Sequence, residues 1–159
     1  MQTKFYSLTK WNVLLIFVTV IISNSCMKRD VVPCDCVSHD VKSDEKENHI
    51  EQINKLLRKS NPSYRIYQEE GSLYSVQFSE TDKYSFYPNV IDLKKIEIIG
   101  KHNTREVLLE LQTFENTKDI IVVFKSAVFK QWYFSITINS YADAQEIARH
   151  LCELLCNYK

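Results

Sequence analysis

The sequence predicts an α+β fold: an antiparallel sheet of about seven strands, strongly curved or barrel-like, with an N-terminal helix and a packed C-terminal helix. Three observations predict it. Alternating apolar residues, broken by turn residues, fill the chain between residues 63 and 138. Apolar residues at helical spacing follow Ser43 and again follow Ser140, one stripe on each side of the strand-rich part. The 45% hydrophobic content, rich in aromatic and β-branched side chains, belongs to a chain that folds around a core.

The elements follow in order. Ser43 can cap a helix over 43–59, with Asp44 and Glu45 in its first turn and Ile50, Ile53, Leu56 and Leu57 as its apolar stripe. Asn61 and Pro62 end it. Strands are expected at 63–68, 73–79, 83–87, 90–99, 105–114, 119–125 and 131–138. Their turns contain Gly71, Thr81 and Asp82, Pro88 and Asn89, residues 100–103, 115–117 and 126–130. In the last strand Trp132, Phe134, Ile136 and Ile138 point to one face, which makes that face core. The unbroken run Ile120, Ile121, Val122, Val123 and Phe124 is expected to lie centrally, covered on both faces. Ser140 and Asp143 approximate a capping box, and Ala144, Ile147, Ala148, Leu151, Leu154 and Leu155 form the stripe of the last helix.

The first 25 residues read as a signal peptide. Lys4 and Lys10 hold its start on the cytoplasmic side, the apolar run over 13–22 follows, and Ser23 and Ser25 offer the small residues that a signal peptidase pocket takes. A membrane-spanning helix needs about 20 largely apolar residues, about twice that run. The segment resembles a bacterial lipoprotein signal of the looser Bacteroidota kind, in which cleavage falls before a lipid-bearing cysteine. Ser25 and Cys26 match the pattern, while Ser23 stands where an apolar residue is usual and Asn24 is larger than usual. The resemblance implies lipidation at Cys26, attachment to a membrane through that lipid, and an extracytoplasmic place in the bacterial cell envelope. Ordinary processing would leave Cys26 as one more cysteine of a secreted protein.

Residues 26–43 are polar and without period, and read as a flexible tether ahead of a single α+β domain over 44–159. The element order across residues 63–158, strands followed by one amphipathic helix, resembles the pleckstrin-homology-like architecture. That resemblance implies a binding scaffold and no particular chemistry. An open sheet with helices on one face is the rival arrangement.

Several function classes are excluded. The chain has only two glycines, Gly71 and Gly100, so it cannot build a phosphate-cradling loop or a dinucleotide fingerprint. Removing the leader takes two of the 20 basic residues and none of the 20 acidic ones, leaving a mildly acidic chain with no basic stripe for nucleic acid. No G-x-S-x-G or S-x-x-K motif is present. His39, His49, His102 and His150 fall in separate segments, and His150 and Cys152 lie on different helix faces, so neither arrangement gives a catalytic set. Glu69 and Glu70 beside Gly71 read as solvated. No catalytic residue and no cofactor is expected.

Export places thiols in an oxidising compartment, and setting Cys26 aside leaves Cys34, Cys36, Cys152 and Cys156 as candidates for disulfides. Three pairings are possible. Cys152 and Cys156 lie one helical turn apart with parallel side chains, which suits bonding to each other poorly. Joining each to one of the N-terminal pair would staple the tether to the last helix. The alternative is a buried Cys152 acting as a small hydrophobe. A weaker metal candidate is Cys34, Cys36 and His39, whose C-x-C-x-x-H spacing lacks a fourth ligand. Tyr64, Tyr67, Tyr74, Tyr84, Phe86, Tyr87 and Tyr133 could cover a second sheet face or form a protein- or glycan-binding patch. The expected role is therefore an exported, lipid-anchored envelope protein with a non-catalytic binding or structural function. A small hydrolase or metal-handling protein is the alternative, and an inhibitor or immunity-type protein is a variant of the first.

Overall fold

The computed structural model describes residues 28–36, 43–100 and 105–156. The chain runs β1 (Lys28–Val31), α1 (Ser43–Ser60), β2 (Arg65–Gln68), β3 (Tyr74–Gln77), β4 (Lys83–Phe86), β5 (Glu97–Gly100), β6 (Val107–Gln112), β7 (Ile120–Phe124), β8 (Ala127–Gln131), β9 (Tyr133–Ile138) and α2 (Tyr141–Cys156). The fold is α+β and every strand pairing is antiparallel. One curved, barrel-like sheet of about seven strands is not what forms. The strands make two sheets, of order β1-β5-β6-β9 and β2-β3-β4-β7-β8, and no barrel closes among the described residues.

The division arises where the chain breaks its alternation. A 3₁₀ turn over Pro88–Val90 stands where a turn was expected at Pro88 and Asn89, but residues 90–99, expected as one strand, hold a second, Leu93–Lys95, before β5 begins. Pro88 sets the first turn. In the second, the Asp92 carboxylate accepts a hydrogen bond from the Lys94 backbone N–H at 3.1 Å, a local partner that competes with a strand ladder. The sheets stay in contact at this joint: the Asp92 N–H donates to the Gln112 carbonyl at 2.8 Å, and the Thr113 N–H to that of Trp132 at 2.9 Å. Trp132 itself is half-buried and lies between β8 and β9 rather than inside a strand.

Two elements form where none was expected. Strand β1 lies in the segment read as a tether, paired to β5 from Lys28 opposite Gly100 to Val31 opposite Glu97. Its charged side chains suit an edge strand: Arg29 bonds Glu97 at 3.1 Å and Lys28 pairs with Asp30 at 2.9 Å. Strand β8 lies in the segment read as a turn. Lys125 and Ser126 both have positive φ, 47° and 70°, and make the tight hairpin turn by themselves. Consequently β7 is second from an edge and half-covered on its outer face. Ile120 and Val122 are buried, Ile121 and Val123 half-buried, and Phe124 exposed.

The core is continuous across both sheets. On the four-stranded sheet the row Ile98, Leu109, Ile136 crosses β5, β6 and β9 on one face, beside the opposed pairs Val107–Ile138 and Leu111–Phe134. Helix α2 packs on β5, β6 and β9, and α1 packs along α2 and on β2. Phe134 carries the core into the five-stranded sheet, stacking on Tyr84 at 5.0 Å and Phe86 at 5.4 Å between ring centres. Gly100 is fixed by crowding, since a Cβ there would sit 2.8 Å from Val107 Cγ1. Helix α1 carries Asp44 and Glu45 in its first turn and Arg58 and Lys59 in its last, each sign at the dipole end it stabilises. The Asp143 N–H donates to Ser140 Oγ at 3.0 Å, capping α2.

Candidate functional site

The residues with chemical potential gather on the outer side of the α1–α2 pair, beside the segment that follows β1. Two disulfides join that segment to α2: Cys34 to Cys152 and Cys36 to Cys156, with sequence separations of 118 and 120. The helical spacing of Cys152 and Cys156 presents both sulfurs on one side of α2, where a short extended segment can meet them in parallel. Tyr141 ties β1 itself to α2 by donating its hydroxyl proton to Asp30 Oδ2 at 2.6 Å. Burial, and then the Asp30 carboxylate, push the Tyr141 hydroxyl up to about 12, so it remains a donor. An open groove of about 430 Å³ runs here, lined by Val32, Pro33, Cys34, Tyr141, Arg149 and Glu153 among others.

Beside Cys152, α2 presents Glu146, Arg149, His150 and Glu153, spaced at one helical turn. Arg149 holds both carboxylates: Nη2 donates to Glu146 Oε1 at 2.6 Å and Nη1 to Glu153 Oε1 at 2.7 Å. The hydrogen bond from Arg149 keeps Glu146 below the usual carboxylate range, and the carboxylates keep Arg149 firmly protonated. His150 is buried, 8% exposed, and its Nδ1 meets His49 Nδ1 of α1 at 2.9 Å. Burial first, then the nearby Arg149 and His49, push His150 below the ordinary histidine value, so it is neutral at pH 7.

The Arg149 contact fixes the role of one imidazole nitrogen. A guanidinium can only donate, so the 3.0 Å contact between Arg149 Nη2 and His150 Nε2 makes that nitrogen the acceptor. A neutral His150 then carries its proton on Nδ1, the nitrogen that faces His49 Nδ1. Glu153 Oε2 approaches the same His49 nitrogen at 3.2 Å. Two imidazole nitrogens and a carboxylate oxygen therefore converge on one small space.

The structure places the other candidate residues as follows. Cys26, His39 and His102 lie outside the described residues. Cys34 and Cys36 are bonded as disulfides, so their sulfurs are not the thiolates that a C-x-C-x-x-H metal site requires. Glu69 is half-buried, taking hydrogen bonds from Lys83 and from Ser75, which draw its carboxyl below the usual range. The aromatics do not form one patch: Tyr74 and Phe86 are buried, Tyr64, Tyr67 and Tyr84 half-buried, and Tyr87 and Tyr133 exposed. Exposed apolar side chains are found instead on the β7–β8 hairpin, at Phe124, Val128 and Phe129.

The pairing of His49 with His150 was missed in the sequence, because the two are 101 residues apart and meet only when α1 packs on α2. One signal was present. Ile147, His150, Leu151 and Leu154 follow i, i+3, i+4, i+7, which puts His150 on the buried stripe. No helix among the described residues is long and apolar enough to cross a membrane. Comparison with protein-family models, with curated proteins and with solved structures finds no match to this chain.

Proposed function

We propose that this chain is an exported domain, fixed to a bacterial envelope membrane by lipid on Cys26, with a non-catalytic binding role. The observation that carries the reading is the pair of disulfides, because such bonds persist in oxidising compartments and are reduced in the cytosol. The signal segment ahead of Cys26 agrees with it. Because β1 starts two residues after Cys26, an anchored domain stands within about 7 Å of the lipid-bearing residue, the reach of two extended residues. Lys28 and Arg29, both exposed, would then face anionic headgroups. A protein or glycan ligand is the expected partner, and the exposed Phe124, Val128 and Phe129 supply apolar surface that supports it. A second reading, metal handling, is favoured by one observation, the convergence of His49, His150 and Glu153.

Metabolic labelling with a fatty acid, followed by membrane fractionation of the wild type and Cys26→Ala, tests the anchor. The expected result is label and membrane attachment in the wild type and an unlabelled soluble product from the variant. A labelled, full-size variant rejects the assignment. A thiol count on the unreduced protein tests the compartment, and free thiols at Cys34, Cys36, Cys152 and Cys156 would sink it.

A further inference from the structure

We infer that His49, His150 and Glu153 form a binding site for a single divalent transition-metal ion of the zinc class. The three donor atoms are His49 Nδ1, His150 Nδ1 and Glu153 Oε2, separated by 2.9, 3.2 and 3.9 Å. A circle through three points so spaced has a radius of about 2.0 Å, so one ion can touch all three at the usual Zn–N and Zn–O distances of about 2.0–2.2 Å. At about 2.1 Å from each atom the ion stands about 0.7 Å out of their plane, the displacement of a tetrahedral centre with its fourth position open. Two imidazoles and one carboxylate are a donor set that zinc, copper and nickel accept and that magnesium and calcium do not favour.

The surroundings fit a cation. Arg149 holds Glu153 by Oε1 and so turns Oε2 toward the imidazoles. Arg149 stands against two carboxylates, Glu146 and Glu153, so one carboxylate charge is left for an ion to balance. Binding replaces the proton that the two Nδ1 atoms share. The His150 proton then moves to Nε2, so Arg149 Nη2, which donates to that nitrogen at 3.0 Å in the metal-free state, must turn from it and keep its bond to Glu146 Oε1. The His49 and His150 side chains are 15% and 10% exposed, while that of Glu153 is 42% exposed, so the open position faces solvent along the Glu153 side. The helices that carry the ligands pack on each other, and the Cys152 and Cys156 disulfides bracket Glu153 on α2, so the ligands sit on a braced frame. The site goes beyond the envelope reading and does not depend on lipid at Cys26.

The test is calorimetric titration of zinc chloride into the metal-free, disulfide-intact chain, with His49→Gln and Glu153→Gln as variants. Each variant puts an amide of similar reach in place of the ligand, and Glu153 is exposed enough for its variant to fold. The wild type is expected to bind one equivalent, Glu153→Gln to lose about tenfold in affinity, and His49→Gln about a hundredfold or more. Cobalt in place of zinc should give the intense visible bands of a four-coordinate site in the wild type, and these should be lost in His49→Gln. Absence of zinc binding to the wild type, or undiminished affinity in both variants, overturns the assignment. Magnesium binding as tightly as zinc also overturns it. Loss of the lipid anchor would leave each of these results unchanged.

Discussion

Ile66 and Phe129 stand on the same cross-strand row of the five-stranded sheet, one at each edge, yet Ile66 is 1% exposed and Phe129 is 47% exposed. The row runs Ile66, Val76, Tyr84, Val122, Phe129, apolar or aromatic at every step. What differs is what meets the edge. At β2, α1 packs over the strand, and Asn54 takes both outward backbone groups of Ile66: the Ile66 N–H donates to Asn54 Oδ1 at 2.7 Å, and Asn54 Nδ2 donates to the Ile66 carbonyl at 2.9 Å. At β8 the residues Ala127, Val128, Phe129 and Lys130 are all exposed. Apolar character in a strand thus does not decide burial; a helix arriving with a matched polar side chain does.

The comparison can be broken hardest at the disulfides, which hold the helical half together. By loop entropy the first bond to close a ring of 118 or 120 residues is worth about 5 kcal/mol, whereas the second closes only the short ring left beside it and adds about 2 kcal/mol. Removing either pair as Ala should therefore cost about 2 kcal/mol, and removing both about 7 kcal/mol, in non-reducing denaturant melts. Equal costs that simply add would reject this overlapping-ring account.

Next in size, Phe134→Ala at the joint between the sheets should cost about 3–5 kcal/mol, while Phe129→Ala on the bare hairpin should stay within about 0.5 kcal/mol. A large loss at Phe129 would mean that its edge is covered in solution. Asn54→Ala leaves two backbone groups of β2 without their partner and should cost about 1–3 kcal/mol, read by chemical denaturation. Faster amide exchange at Ile66 in that variant, with β8 unchanged, would sharpen the contrast between the edges.

The smallest effect is a pH dependence within the five-stranded sheet. Glu69 is drawn below its ordinary value of 4.5 by the hydrogen bonds from Lys83 and Ser75, so its contribution is complete above that unfolded value and is lost as pH falls through the lower folded one. Lys83 is raised above 10.5 by the same partner, so its share is lost only as pH rises beyond that. Melting temperatures of the wild type and Glu69→Gln should differ at neutral pH and converge in acid. A gap that stays constant below pH 4.5 would remove Glu69 from the account.

Much of this was legible in the sequence, and where it failed the reasons are local. Both helices, the Ser140 cap of α2 and the buried positions Ile53, Leu57, Ile147, Leu151 and Leu154 followed from spacing, as did the alternation that buries Phe134, Ile136 and Ile138 in β9. Strand β8 was hidden because Lys125 and Ser126 adopt positive φ without the Asn or Gly that announces such a turn. Strand β1 was hidden because its residues are charged and its apolar support comes from β5, far along the chain. The two-sheet division turned on Asp92 favouring a local hydrogen bond, which an apolar count cannot see. The four cysteines were visible as a set. Their partners, and the meeting of His49 with His150, depend on which helices pack together, and a single sequence carries no record of that.

The spacing of those cysteines has a consequence for biosynthesis. A ribosome completes Cys34 and Cys36 before it has made 118 and 120 further residues that end in their partners. Throughout that interval the thiol most easily reached by either is the other. Both native bonds can therefore form only once α2 has been translated, after the residues of all nine described strands have been made. The staples are closed last in the order of synthesis, and a cell that oxidises this chain too early would need an isomerase to undo the first bond it makes.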